Sequence, residues 1–363
     1  MRLILVGGFL GAGKTTLLSE AAKQLASRGS TVGLITNDQV PDLVDTAVLA
    51  RTGAAVREVA GSCFCCNFKG FHEAVCALAE NGVDCIVAEP VGSCTDLSAT
   101  IMQPLKDKFP EYALAPLSVL VDPIRVREVL RNRDSALHPD AAYILHLQLE
   151  EADQIVLTKC DSISDAERGE VVSFLRQEFP GILIHEISTH SGEGVKPWLD
   201  SVLAAAPAGL RVVEVDYDRY ANGEAVLGWL NAVVTMRWIG GLSANWRGFT
   251  TDLFGALQAK LREEEREIGH IKALVECSTG VLTSNLTALD DGPQVYEEGA
   301  LERLNATLTL NARVQIAPDE IDALFRDALK QASYGRVAAT ITAFHCIRPG
   351  RPVPTYRYDS IVA

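Results

Sequence analysis

Eight consecutive residues, Gly8-Phe9-Leu10-Gly11-Ala12-Gly13-Lys14-Thr15, carry the plainest chemistry in this chain. The spacing G-x-x-x-x-G-K-T is that of a loop that wraps phosphate. Its glycines let backbone N–H groups curl around the oxygens where a side chain would clash. Lys14 reaches the β/γ oxygens, the Thr15 hydroxyl can ligate Mg²⁺, and the positive end of the following helix adds to the grip. Gly11 to Thr16 (Gly11, Ala12, Gly13, Lys14, Thr15, Thr16) are the expected phosphate contacts. The apolar run Leu3–Val6 precedes the loop. A helical pattern of Leu17, Leu18, Ala21, Ala22 and Leu25 follows and stops at Gly29. Strand before and helix after is the context such a loop requires, so the chain is expected to bind a nucleotide.

Three further groups have chemically useful spacing. Glu89-Pro90-Val91-Gly92 follows the apolar strand Cys85–Ala88. A carboxylate there lies beside the γ-phosphate and Mg²⁺. The glycine lets its N–H approach the γ-phosphate, in a hydrogen bond that hydrolysis removes. The bland alternative for Glu89 is a helix-capping acid. Thr158-Lys159-Cys160-Asp161 follows the strand Gln154–Leu157. Guanine presents two N–H donors on one edge, and the Asp161 carboxylate can accept both while the Lys159 stem covers the purine face. Ser188, after the next strand, opens a second candidate base-contacting loop.

Cys63, Cys65 and Cys66 lie within four residues, in Gly61-Ser62-Cys63-Phe64-Cys65-Cys66. Such close thiols do not readily meet disulfide geometry, whereas thiolates bind borderline and soft divalent ions well. A hairpin of buried cysteines is the competing reading, but three neighbours on one face break strand alternation. Zn²⁺ suits two or three thiolates plus a carboxylate, histidine or water. The other six cysteines, Cys94 among them, read as small buried hydrophobes. His185 and His190 read as structural.

These residues need a scaffold, and the rest of the chain describes one. Short apolar strands alternate with helical stretches such as Phe71–Asn81, Ile124–Arg133 and Asp165–Glu178, up to about residue 204. Continuously apolar strands are covered on both faces, which predicts a mostly parallel, doubly wound α/β sheet with active residues at the strands' carboxyl ends. A small, Pro- and Gly-punctuated segment follows. The expected division is 1–204 for the nucleotide domain, 205–224 for a linker and 225–363 for a smaller domain. The latter reads β-α-β-β-β-α-β, an α+β domain of possible ferredoxin-like type. The segments Asp216–Tyr220 and Gly228–Asn231 are distinctive and suggest a packed interface. The 363 residues suffice for two cores. A formal charge of −14 leaves no basic face for nucleic acid. No apolar run approaches the roughly 18 residues that span a membrane. With no visible secretory leader and unpaired thiols, the cytoplasm is the expected compartment.

In order and spacing, the phosphate loop, Cys63-x-Cys65-Cys66, Glu89-x-x-Gly92 and Lys159-x-Asp161 resemble the CobW-type GTPases, the class that also holds the HypB and UreG metallocentre GTPases. Further matches are Val121-Asp122, Gln148 with Ala152-Asp153, and Ser191–Gly194; His270-Ile271-Lys272 and Arg348–Pro352 match more loosely. The resemblance implies a GTP-hydrolysing metal chaperone or insertase, usually for zinc and in some branches cobalt. GTP and Mg²⁺ would be held by Gly11–Thr16 and Gly92, with Lys159, Asp161 and Ser188 at the base. Lys14, Glu89 and Asp38 would serve catalysis, and Cys63, Cys65 and Cys66 would carry the metal. A client metalloprotein is the implied partner, and a homodimer is compatible. Two positions depart from the family pattern. Asn37-Asp38-Gln39-Val40 stands where Asn-Glu-x-Gly is usual, and Thr158 stands where Asn is usual, so a weaker tether to the phosphate loop is expected. The rival readings are a GTPase that assists a corrinoid (cobalamin) enzyme, and a small-molecule kinase with structural cysteines and a preference for ATP.

Overall fold

The computed structural model describes residues 1–41, 43–127, 138–290 and 292–362. The expected helix at 124–133 therefore lies partly outside the described residues; within them, Pro123–Arg125 is helical. The chain forms two compact units. The first comprises Met1–Gln39, Leu49–Gly223 and Arg351–Ala363, and the second Val40–Val48 and Glu224–Gly350. Residues 205–223, expected as linker, and residues 351–363, expected in the second domain, thus pack with the nucleotide domain. Their polar contacts, described below, are the reason.

In the first unit the strands are β1 (Arg2–Gly8), β2 (Val32–Asn37), β3 (Ala55–Val59), β4 (Cys85–Ala88), β5 (Ala113–Leu114), β6 (Ser118–Val121), β7 (Gln154–Leu157) and β8 (Leu183–Glu186). They form one parallel sheet in the order β3-β2-β4-β1-β6-β7-β8, with β5 against β1. The central strands β4, β6 and β7 are buried at every residue, as their uninterrupted apolar sequences require when helices cover both faces. The edge strands β3 and β8 keep more exposed residues. Between β1 and β2 runs the helix Lys14–Ser27, which buries the stripe Leu17, Leu18, Ala21, Ala22 and Leu25 against the sheet. The phosphate loop leaves the carboxyl end of β1, and the Glu89 and Thr158 loops leave those of β4 and β7. Gly8 is needed where β1 passes β6. Its φ is +129°, and a Cβ there would stand 2.4 Å from the Leu120 carbonyl oxygen.

The second unit is an antiparallel sheet of β9 (Gly228–Trp238), β10 (Ile268–Cys277), β11 (Gly280–Leu286), β12 (Gln294–Gly299), β13 (Asn305–Val314) and β14 (Val337–Ile347). The order is β12-β11-β10-β13-β9-β14. Helices Trp246–Glu263 and Pro318–Ser333 link β9 to β10 and β13 to β14. Without the inserted pair β11–β12, the order β10-β13-β9-β14 is that of a ferredoxin-like β-α-β-β-α-β unit. Leu253, Leu257 and Leu261 of the first helix and Ile321, Phe325 and Leu329 of the second fill its core. Residues 40–48 join this unit. Val44 packs with Leu274 and Val281, Lys272 pairs with Asp45 at 2.7 Å, and Asn231 donates to the Pro41 carbonyl at 2.8 Å. Trp229, in the second distinctive segment, lies under the Arg313 guanidinium. Among the described residues, no helix is long and apolar enough to cross a membrane.

Candidate functional site

The phosphate loop closes on itself. Lys14 Nζ donates to the Gly8 carbonyl at 2.8 Å and to that of Phe9 at 3.2 Å. Gly13 precedes the helix in a left-handed conformation, so the first helical N–H groups face the loop's interior. Thr15 Oγ1 donates to Glu89, 3.2 Å from each carboxylate oxygen. A hydroxyl and a buried carboxylate at this separation are hard oxygen donors of the kind Mg²⁺ takes beside phosphate, so the pair fits that ion. Gly92 lies against the loop, since a Cβ there would meet Leu10 Cδ2 at 2.7 Å and Lys14 Nζ at 3.0 Å. Asp38 is buried at the end of β2 and donates its N–H to the Val59 carbonyl at 3.2 Å.

The loop after β7 is tethered to the phosphate loop despite the departure at Thr158. The Thr158 hydroxyl, 2 % exposed, donates to the Ala12 carbonyl at 2.8 Å, so a hydroxyl alone joins this loop to the phosphate loop. Lys159 takes a left-handed backbone conformation, and its Nζ pairs with Asp122 at 2.5 Å. That pair fixes the lysine stem, and Asp161 stands exposed one turn on. Ser188 is fully buried and forms the neighbouring turn. Its N–H donates to the Glu193 carbonyl, and its carbonyl accepts from Gly192.

Cys63, Cys65 and Cys66 occupy a tight turn in which the N–H groups of Cys66 and Asn67 both donate to the Cys63 carbonyl. Asn67 then caps the helix Phe68–Glu80 by accepting from Gly70 N–H. The thiol sulfurs lie 3.0 Å (Cys63–Cys65) and 3.8 Å (Cys65–Cys66) apart, and all three fall within 4.8 Å of one another. Hydrogen bonds from Cys65, and then from Cys66 and Cys94, hold the Cys63 thiol well below its usual range. The same contacts push Cys65 well up, and Cys63 pushes Cys66 up to about 11. Of the three, Cys63 is thus the thiol that ionises most readily. An arriving cation must displace the protons still held by the thiols it binds.

Sequence reasoning missed what holds this loop. Asn37, at the end of β2 and next to Asp38, donates to the Val59 and Ser62 carbonyls at 2.8 Å each and accepts from Phe64 N–H at 2.9 Å. It bolts the thiol loop to the end of β2, next to Asp38. The C-terminal tail also crosses the loop. Val353 N–H donates to Cys66 Sγ at 3.2 Å, Thr355 N–H to the Cys65 carbonyl at 2.8 Å and Thr355 Oγ1 to the Cys66 carbonyl at 3.0 Å. Tyr356 meets Phe68 edge-on. Nothing in the tail's own sequence signals these contacts.

The loop after Glu89 is held from below. Gln148 donates to the Gly92 carbonyl at 3.1 Å and the Cys94 carbonyl at 2.7 Å. Tyr217 donates to Asp96 at 2.7 Å, Arg357 donates to the same carboxylate oxygen at 2.8 Å, and Tyr220 accepts from Thr95 N–H at 3.3 Å. The Asp216–Tyr220 segment therefore secures this loop within the first unit. Glu151, fully buried, accepts from the Thr95 hydroxyl and Ser98 N–H. Burial, with the Asp96 charge added, raises its pKa to about 8, so it is protonated at neutral pH. The native state then holds a proton that the unfolded chain, with an ordinary carboxylate near pKa ~4.3, has released. The stability that Glu151 contributes therefore falls as pH rises through that window and levels off above about 8. Thermal melts of Glu151→Gln should show a shallower loss of stability between about pH 5 and 8 than the native chain. An unchanged slope would contradict the buried acid.

A parallel sheet with a phosphate loop after β1, a carboxylate–glycine pair after β4 and a purine-side loop after β7 defines a P-loop nucleotide-binding domain. Residues 2–181 match the family model described as "CobW/HypB/UreG, nucleotide-binding domain", and this part of the chain is a domain of that family. Among solved structures, the hydrogenase maturation factor HypB from Archaeoglobus fulgidus is similar at 16% identity and a TM-score of 0.40, over 55% of this chain and 87% of that one. HypB from Helicobacter pylori in complex with nickel is similar at 16% identity and a TM-score of 0.40, over 55% and 83%. The Zn(II)-bound YjiA GTPase from E. coli is similar at 15% identity and a TM-score of 0.35, over 90% and 98%.

Proposed function

We propose that this protein is a GTP-hydrolysing metal chaperone. On this reading it binds a divalent transition metal, zinc foremost and cobalt as an alternative, at Cys63, Cys65 and Cys66, and GTP hydrolysis governs the metal's release to a client metalloprotein. The observation that carries the reading is Asn37. One side chain, beside Asp38, makes three hydrogen bonds to the backbone around the thiol loop. A change at the end of β2 on loss of the γ-phosphate is then passed to the thiols through rigid hydrogen bonds. A ligand shifts such an equilibrium only by its differential affinity for the two states. Lys14 and Gly92 would face the γ-phosphate, Thr15 and Glu89 would hold Mg²⁺, and the metal would add positive charge where charge accumulates on the phosphoryl oxygens. Asp161 would select guanine, with the Lys159 stem fixed by Asp122. This choice disfavours the kinase reading, which requires ATP.

The deciding measurement is zinc affinity, by competition with a chromophoric chelator, with GDP and with a non-hydrolysable GTP analogue. The two affinities should differ by about tenfold or more, a coupling of roughly 1.4 kcal/mol. Equal affinities would overturn the coupling, and displacement of GTP by equimolar ATP would overturn the guanine assignment.

A further inference from the structure

Three thiolates leave a tetrahedral ion one ligand short. Four sulfurs at about 2.3 Å from zinc stand about 3.8 Å from one another. The Cys65–Cys66 separation is already 3.8 Å, and the three sulfurs lie within 4.8 Å of one another, so the trio forms one face of such a site once the Cys63–Cys65 pair opens from 3.0 Å. A fourth sulfur donor has to come from another segment and reach the same buried point. Cys94 does so. It is 1 % exposed, and its thiol lies close enough to Cys63 and Cys65 to perturb both. A cysteine serving only as a small hydrophobe has no reason to face two other thiols. Cys94 is not among the three sulfurs that all lie within 4.8 Å of one another, so its turn must close on the trio to complete the site.

That loop also touches the nucleotide side. Cys94 N–H donates to the Val91 carbonyl at 2.9 Å, closing a turn around Gly92. Gly92 lies against Lys14, and Gln148 grips the carbonyls of both Gly92 and Cys94. The backbone that abuts the phosphate-gripping lysine and the fourth thiol are therefore parts of one turn, held by one amide.

We propose that Cys94 is the fourth thiolate of a tetrahedral metal site with Cys63, Cys65 and Cys66, and that the Gly92–Cys94 turn lets the nucleotide state set the coordination number. This rests on the metal-chaperone reading above. When the ion binds, the Cys94 S–H bond breaks, the sulfur lone pair goes to the metal and the proton to solvent, with no change of oxidation state.

X-ray absorption on the zinc-loaded native protein, with GDP and with a non-hydrolysable GTP analogue, counts the sulfur neighbours directly. Four sulfurs in at least one nucleotide state is the expected result. Three sulfurs and one lighter neighbour in both states would overturn the assignment and leave the chaperone reading standing. A chain that takes up no zinc would remove both. In the Co²⁺-loaded protein, Cys94→Ser should lose about a quarter of the thiolate-to-metal charge-transfer intensity, from four thiolates to three. An unchanged spectrum would count against Cys94, and the native-protein count decides the matter should the serine variant fold poorly.

Discussion

Cys65→Ala should abolish the retention of one zinc ion per chain, while the dissociation constant for GTP, measured with both proteins metal-free, stays within about threefold of the native value. Cys65 is the middle thiol of the cluster, at 3.0 Å from Cys63 and 3.8 Å from Cys66, and only 1 % exposed. Its removal leaves the flanking sulfurs without the donor that bridges them. Removing one ligand of a structural or transfer site typically costs orders of magnitude in affinity, because the remaining donors no longer enclose the ion. With both proteins metal-free, the nucleotide side should keep its affinity, since Lys14 bonds to Gly8 and Phe9, Thr15 to Glu89 and Thr158 to Ala12, and the substitution changes none of these groups. Because neighbouring thiols and burial raise Cys65 and Cys66, and zinc binds them only as thiolates, zinc retention by the native chain should also weaken as pH falls. Zinc measured by mass spectrometry after gel filtration under reducing conditions checks both points. An alanine variant that still carries one tightly held zinc would remove the cysteine cluster as the metal site.

Glu89→Ala should slow GTP hydrolysis by about 10²- to 10³-fold, read as phosphate release at saturating GTP and Mg²⁺. The carboxylate is 5 % exposed at the end of β4, with both oxygens 3.2 Å from the Thr15 hydroxyl. Its place fits a role in holding the metal's ligand water or orienting the attacking one, and alanine removes either. Glu89→Gln separates charge from shape. If the negative charge carries the effect, the isosteric amide should be nearly as slow as alanine. A turnover within about threefold of native in the alanine variant would assign the work elsewhere, with Asp38 the next residue to change.

The features that were legible in the sequence are those written in contiguous residues. A phosphate loop is a local backbone path set by its own glycines, so Gly8–Thr15 announced both itself and the strand and helix around it. Strand runs such as Cys85–Ala88 and Gln154–Leu157 announced a sheet covered on both faces, and hence the ends at which Glu89 and Thr158 emerge. The edge strands β3 and β12 were not legible, because their half-exposed sequences lack that uninterrupted apolar signal. The expectation of a weaker tether at Thr158 rested on the amide it lacks. The fold brings the Ala12 carbonyl close enough for a hydroxyl to suffice.

By itself, the sequence determined a nucleotide grip, a parallel α/β domain, a smaller α+β domain and a trio of thiols. Only the tertiary structure decided what surrounds those thiols. Cys94 reads as one scattered cysteine among six until the turn after β4 carries it to Cys63 and Cys65. Val353 stands 287 residues from the Cys66 sulfur to which it donates, and Tyr217 stands 121 from Asp96. Such pairings arise from the closure of long loops by the packed core, and they leave no periodicity or motif in either partner. Spacing along the chain fixes local backbone geometry. Which distant side chains share a buried volume is fixed only when the whole sheet is assembled.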